Sequence, residues 1–79
     1  MPRYYFHLNG HRDRLLDETG VVLPDEEAAW YQAVRSAREV LRADLHLGIA
    51  FEDQRIEIWD EGGSPVDHIP LTDIANYAV

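Results

Sequence analysis

Pro24-Asp25-Glu26-Glu27-Ala28-Ala29-Trp30 opens, and Leu45-His46-Leu47-Gly48 closes, the stretch on which the fold turns. Between these ends apolar residues recur every three or four positions: Trp30, Ala33, Val34, Ala37, Val40, Leu41 and Leu45. That spacing keeps one side of an α-helix apolar. Pro24 ends whatever precedes it, and Asp25 offers a carboxylate to the free amides of a first helical turn. Glu26 and Glu27 place negative charge where the helix dipole favours it. Gly48 supplies the left-handed residue that closes many helices. One helix is therefore predicted over 24–48. Its small residues Ala33 and Ala37 let it lie close to a sheet. Arg35, Arg38 and Arg42 form a separate stripe, with Glu39 four residues after Arg35 and Glu27 eight before it. Ion pairing along the solvent face is expected there.

Strand patterns flank this helix. Arg3-Tyr4-Tyr5-Phe6-His7-Leu8 is aromatic and alternating, with Tyr4, Phe6 and Leu8 on one face and Arg3, Tyr5 and His7 on the other. Asn9-Gly10 is a hairpin signal, since both residues tolerate positive φ. A charged and therefore poor second strand is expected over 11–16, then a turn at Asp17-Glu18-Thr19-Gly20 and the apolar run Val21-Val22-Leu23. Beyond the helix and a loop at 49–53, Gln54 to Asp60 alternates again. Ile56 and Ile58 share one face, and Arg55, Glu57 and Trp59 the other. Asp60 to Pro65 is a turn, and Val66 to Leu71 returns as a strand whose end, at Pro70, belongs at an edge. Thr72-Asp73 is placed to cap a short last helix carrying Ile74 and Tyr77. The sum is one α+β domain over 1–79: an antiparallel sheet of about four strands, in ββαββ order, with one long helix on one face.

Composition limits the function classes. The 79 residues carry fifteen acidic groups against seven basic ones, all arginine, for a net charge of −8. Strong negative charge opposes binding to phosphate backbones, so nucleic acid is disfavoured as a partner. Solubility explains such a charge most simply, and a basic protein partner more specifically. Cysteine is absent, which excludes disulfides and thiolate chemistry. No run of about 18 apolar residues spans a membrane, and Met1-Pro2-Arg3 leads straight into alternation rather than a signal peptide. A cytoplasmic address is expected. A chain this short buries only about 60% of its unfolded surface, so a covering partner would add stability.

The opening Pro2-Arg3-Tyr4-Tyr5-Phe6-His7 resembles the start of a family of short, uncharacterised alphaproteobacterial proteins. Further similarity lies at Leu23-Pro24-Asp25, at Ala33-Val34-Arg35-Ser36-Ala37-Arg38-Glu39, and at Arg55-Ile56-Glu57-Ile58 followed by Asp60-Glu61-Gly62. The resemblance spans nearly the whole chain and implies a stand-alone domain of unknown function, with no catalytic residues to carry over. A weaker likeness is to antitoxins of the HicB kind, whose N-terminal domain also sets strands before a helix that opens as Asp25-Glu26-Glu27-Ala28-Ala29 does. Those proteins usually carry a Gly-rich strand pair ending in a Pro-Gly-Cys-like turn. Here Leu23-Pro24 leads directly into the helix, and no separate DNA-binding segment follows. This likeness is one of fold alone.

Residue chemistry points away from catalysis. His7 and His11 would share a helix face, but Asn9-Gly10 puts a turn between them, and no carboxylate falls at a ligating interval. His68 fits an exposed edge strand. Ser36 lies on the helix and Ser64 in a Gly-Gly-Ser-Pro turn, neither in a strained strand-to-helix elbow. Gly62-Gly63 lacks the Lys and Ser/Thr of a phosphate loop, and Asp60-Glu61-Gly62 lacks the alternating ligands of a calcium loop. Acidic pairs such as Asp17-Glu18 are read as solvated turn residues. No enzyme activity, cofactor or metal is expected.

The sheet face away from the helix is the candidate site. If Tyr4, Phe6, Ile56 and Ile58 pack under the helix, then Arg3, Tyr5, His7, Arg55, Glu57 and Trp59 point outward with nothing in the chain left to cover them. Aromatic sheets of this kind bind single-stranded nucleic acid elsewhere, a use that the acidity argues against. A second copy, sheet on sheet or edge on edge, fits better. The favoured function is a self-associating dimeric module that contacts other proteins in regulation. The alternative is an antitoxin-like regulator of a toxin–antitoxin pair.

Overall fold

In the computed structural model, residues 1–10 and 13–77 are described. His11, and with it the start of the predicted second strand, lies outside them, as does the side chain of Tyr77. The elements are β1 (Arg3–Asn9), β2 (Arg14–Leu15), β3 (Val21–Val22), α1 (Glu26–Leu47), β4 (Arg55–Asp60), β5 (Pro65–Pro70) and α2 (Leu71–Tyr77). All strand pairings are antiparallel, in the order β2-β1-β4-β5. β3 pairs with the other end of β1 on the side that β2 occupies. The predicted α+β architecture is therefore present, with five strands where about four were expected. The additional one is β3, in the apolar run Val21-Val22-Leu23, and among the described residues the second strand is confined to Arg14–Leu15. No helix among the described residues is long and apolar enough to cross a membrane.

α1 begins and ends where its sequence signals lie. The Asp25 carboxylate accepts the amide of Ala28 at 2.9 Å. At the far end Gly48 adopts φ 70°, and the amide of Ile49 reaches back to the carbonyl of Asp44 at 2.8 Å. The buried stripe differs from the predicted one. It runs through Ala29, Ala33, Ala37 and Leu41 to Asp44, whereas Trp30 and Leu45 are exposed and Val34 and Val40 flank the contact. The cause is the size of the alanines. With no side chain beyond Cβ they bring the helix backbone down onto the sheet, so the contact is one narrow row of four-residue steps. Trp30 and Leu45, each about 100° further round, pass beyond it.

Tyr4, Ile56, Ile58 and Ile69 supply the sheet side of the core, closed at one end by Leu71 and Ile74 of α2. α2 starts at Leu71, one residue before the expected cap, and the Leu71 amide, which has no partner within the first helical turn, donates to the carbonyl of Gln54 at 2.9 Å. The expected ion pairs along α1 do not form among the described residues. Ion pairs form on the open side of the sheet instead, at Arg14–Glu57 and Arg55–Glu57.

Both sheet edges are poor templates for further strands. The Leu71–Gln54 bond sets the phase of the β4–β5 ladder, so residues 68 and 70 turn their amide positions outward. Pro70 has no amide hydrogen, and the amide of His68 is taken by the Asp67 carboxylate at 2.8 Å. At the opposite edge the turn at 17–20 interrupts the strand between β2 and β3, leaving two-residue pieces.

Ala37 is fully buried, so Ala37→Asp places an unpaired charge in the narrowest contact of the fold. A loss on the order of 3–5 kcal/mol would consume most of the stability of so small a domain. Circular dichroism is expected to show an unfolded chain at 25 °C. A cooperative melt like that of wild type would place the buried face of α1 elsewhere.

Candidate functional site

Alternation along two neighbouring central strands builds the open face. β1 and β4 pair so that Tyr5 lies opposite Trp59, His7 opposite Glu57, and Asn9 opposite Arg55. With Tyr4, Ile56 and Ile58 turned into the core, these partners all point away from α1. The rings of Tyr5 and His7 stack with centroids 6.5 Å apart, and His7 meets Trp59 at 6.1 Å in a tilted arrangement. An aromatic row thus crosses from one strand to the next. Arg14 lies over the Trp59 ring, 5.6 Å from its centroid, in a cation–π arrangement. Towards β5 the face deepens into an open groove of about 760 Å³ between Trp59, Pro65, His68 and Pro70.

Glu57 is the electrostatic centre of this face. Its Oε1 accepts from Arg14 at 3.0 Å and from the Trp59 indole at 3.3 Å. Its Oε2 accepts from Asn9 at 3.2 Å and lies 3.1 Å from the Arg55 guanidinium. Burial pushes the carboxyl pKa up, but the hydrogen bonds from Trp59 and Asn9 and the charge and hydrogen bond of Arg14 outweigh that. The net result is a value below the ordinary glutamate range. The group is a shielded carboxylate with its acceptor sites filled.

Asp17 fixes the border of the face. At Phe6 β1 pairs with Ile58 of β4 but has no partner on its β2–β3 side, and there the Asp17 Oδ2 accepts the Phe6 amide instead, at 3.1 Å. Oδ1 gathers the amides of Thr19 (3.1 Å) and Gly20 (3.0 Å), which holds the turn. The Asp17 amide in turn donates to His7 Nδ1 at 2.9 Å. That bond makes Nδ1 the acceptor and leaves Nε2 to carry the hydrogen of the neutral ring. Burial raises the Asp17 pKa, but the hydrogen bonds from the amides of Gly20, Phe6 and Thr19 outweigh that, for a net value below the ordinary aspartate range. Gly20 must be glycine on two counts. It sits at φ 73°, and a Cβ there would lie 2.9 Å from Arg3 Cγ and from the Tyr4 carbonyl oxygen. Arg3 closes the same corner, donating to the Thr19 carbonyl at 2.9 Å.

All six residues expected on this face are on it. Three more belong with them. Asn9 follows the alternation of Arg3, Tyr5 and His7, but Asn9-Gly10 also reads as a turn. Arg14 lies in the charged segment that makes a poor strand. Asp17 departs from the expectation of a solvated turn acid, because its carboxylate substitutes for a strand.

The model of a family described as a domain of unknown function, DUF6894, matches residues 3–72. The chain belongs to this family. No curated protein and no solved structure matches it. The DUF6894 match takes in all five strands, α1 and every residue of the open face, and of the buried core only Ile74 lies beyond it.

Asp17 and Glu57 ionise at lower pH in the folded DUF6894 domain than when unfolded, so over that interval the native state binds fewer protons. Their stabilisation is fully present above the ordinary carboxylate range near pH ~4 and is lost as pH falls through the lowered folded values. Asp17→Asn is expected to lower the urea midpoint at neutral pH and to flatten its decline between about pH 5 and pH 2. A variant whose midpoint falls with acid as steeply as that of wild type would show that the carboxylate of Asp17 adds nothing beyond its neutral shape.

Proposed function

We propose that this domain is a small cytoplasmic protein-interaction module that pairs with a second copy of itself, sheet against sheet, through the open face. The carrying observation is the aromatic row Tyr5–His7–Trp59, on the sheet face that no helix among the described residues covers. The state of Glu57 supports the same reading. Covering a bare carboxylate costs several kcal/mol, whereas one already held by two arginines, an indole and an amide can lose water without being stranded. The charge at the centre of this face is nearly balanced. Three arginines (Arg3, Arg14, Arg55) there offset the carboxylates of Asp17 and Glu57, within a chain of net charge −8, while the groove beside them adds Glu52, Asp53 and Asp67. Pairing edge to edge is the poorer arrangement, given Pro70 and the Asp67–His68 bond at one edge and the interruption at the other.

Trp59→Ala removes the centre of the row and the seat of Arg14 while leaving Ile56 and Ile58 in place. It is expected to keep a cooperative melt and to weaken self-association roughly tenfold or more, the size expected of a central aromatic anchor. Light scattering over a concentration series measures this. A strict monomer at all concentrations removes the pairing, and an unchanged oligomer clears Trp59 of the role. Because both copies are acidic, raising salt from about 20 to 150 mM should strengthen the association by screening their repulsion. Association that weakens with salt would place opposite charges, rather than the aromatic row, at the centre of the contact.

A further inference from the structure

The chain holds two asparagines, Asn9 and Asn76, and only Asn9 precedes a glycine. Such a pair is open to a spontaneous reaction, because glycine has no Cβ to shield its nitrogen. The Gly10 amide nitrogen, after giving its proton to base, attacks the side-chain carbonyl carbon of Asn9. The N–Cγ bond forms, the Cγ–Nδ2 bond breaks, and Nδ2 takes a proton from water and leaves as ammonia. The succinimide ring then adds one water at either carbonyl, giving aspartate or isoaspartate at position 9. The fold does not need glycine at residue 10. Among the described residues only Gly20, Gly48 and Gly63 have positive φ. A Cβ on Gly10 would stand 3.4 Å from the Asp13 carbonyl oxygen and 3.6 Å from Gln54 Cγ, which are ordinary contacts.

Three features oppose the reaction in the folded chain. Asn9 pairs with Arg14 on one side and Arg55 on the other, and an extended backbone carries the Gly10 nitrogen away from the side chain it must reach. The Gly10 amide proton is held by the Asp13 carbonyl at 2.8 Å. Nδ2, the leaving nitrogen, donates to Glu57 Oε2 at 3.2 Å. Both pairings of Asn9 are the last of their ladders, however, and β2 has only two residues, both exposed. A ladder end of that kind opens locally more often than the core does.

We propose that Asn9 is a deamidation site, restrained by Glu57 and by the end of the β1 ladder, whose conversion alters the open face. Either product puts an oxygen where Nδ2 donated, so Glu57 Oε2 loses that hydrogen bond and gains a carboxylate neighbour. Isoaspartate also adds a carbon to the main chain, which breaks the register that carries Arg14 to Glu57 and Trp59. The test incubates the full chain in warm, mildly alkaline buffer, natively and in urea, and follows residue 9 by peptide mapping. Aspartate and isoaspartate are expected there in both, roughly tenfold or more slowly in the native chain. Gly10→Ala should melt like wild type and react roughly tenfold or more slowly than wild type in urea, since its Cβ raises the barrier to ring closure. Glu57→Ala should stay folded and bring the native rate towards the urea rate. Urea below the unfolding midpoint should raise the wild-type rate in step with hydrogen exchange at the Gly10 amide, a readout that needs no variant. In the separated aspartate product the Glu57 carboxyl should titrate at higher pH than in the unreacted chain. The proposal is overturned if the native chain forms no product at residue 9 or reacts as fast as in urea. It is overturned equally if Gly10→Ala or folded Glu57→Ala reacts like wild type, if deamidation and Gly10 exchange respond differently to urea, or if the Glu57 titration does not move.

Discussion

The close approach of α1 to the sheet is the constraint on which the rest depends. Ala29, Ala33 and Ala37 bring the helix backbone against Ile56, Ile58 and Tyr4, and such a contact leaves no room for a polar group or a larger side chain. It also uses α1, the one long helix among the described residues. Neither helix is left to cover the other side of the sheet, because α2 closes the end of the same core. The two faces therefore follow different rules. One is held by dispersion and exclusion of water, the other by a network around Glu57 that stays partly wet.

That second network does structural work usually left to backbone pairing. Where β2 and β3 part, the ladder along β1 would be left with the orphaned amide of Phe6. Asp17 fills the position with a carboxylate and ties the same turn to His7. The aromatic row is thus anchored at its border by a side chain that stands in for a strand, and Gly20 permits the chain to pass close enough to do it. Sheet integrity and the shape of the open face are one problem with one solution.

Much of this was legible in the residue pattern, and the exceptions have physical reasons. The helix was plain because its caps and period agree: Asp25, Gly48 and the alanines each signal the same element. The division of β1 and β4 into two faces followed from alternation alone, which is why Arg3, Tyr5, His7, Arg55, Glu57 and Trp59 were found together. The edge of the buried stripe was not readable, since periodicity gives a side of a helix and side-chain size decides how wide the contact is. Trp30 and Leu45 fell on the wrong side for that reason. Arg14 and Asp17 were hidden because strand propensity cannot recognise a segment that a neighbouring strand and a carboxylate hold in place. The burial of Asp44 was hidden likewise, since hydropathy assigns an aspartate to solvent by default.

The treatment of the sheet edges has a consequence for growth. A strand that presented a regular run of free amides could recruit another chain, and that chain a third, without limit, as in fibres. Here β5 has lost that run to Pro70 and to Asp67, and the other border is cut into lengths too short to nucleate a ladder. Propagation by strand addition has no starting point at either end. For a small domain with several exposed apolar side chains along β2 and β3, this is how a sheet that stays open on one face avoids becoming the seed of an aggregate.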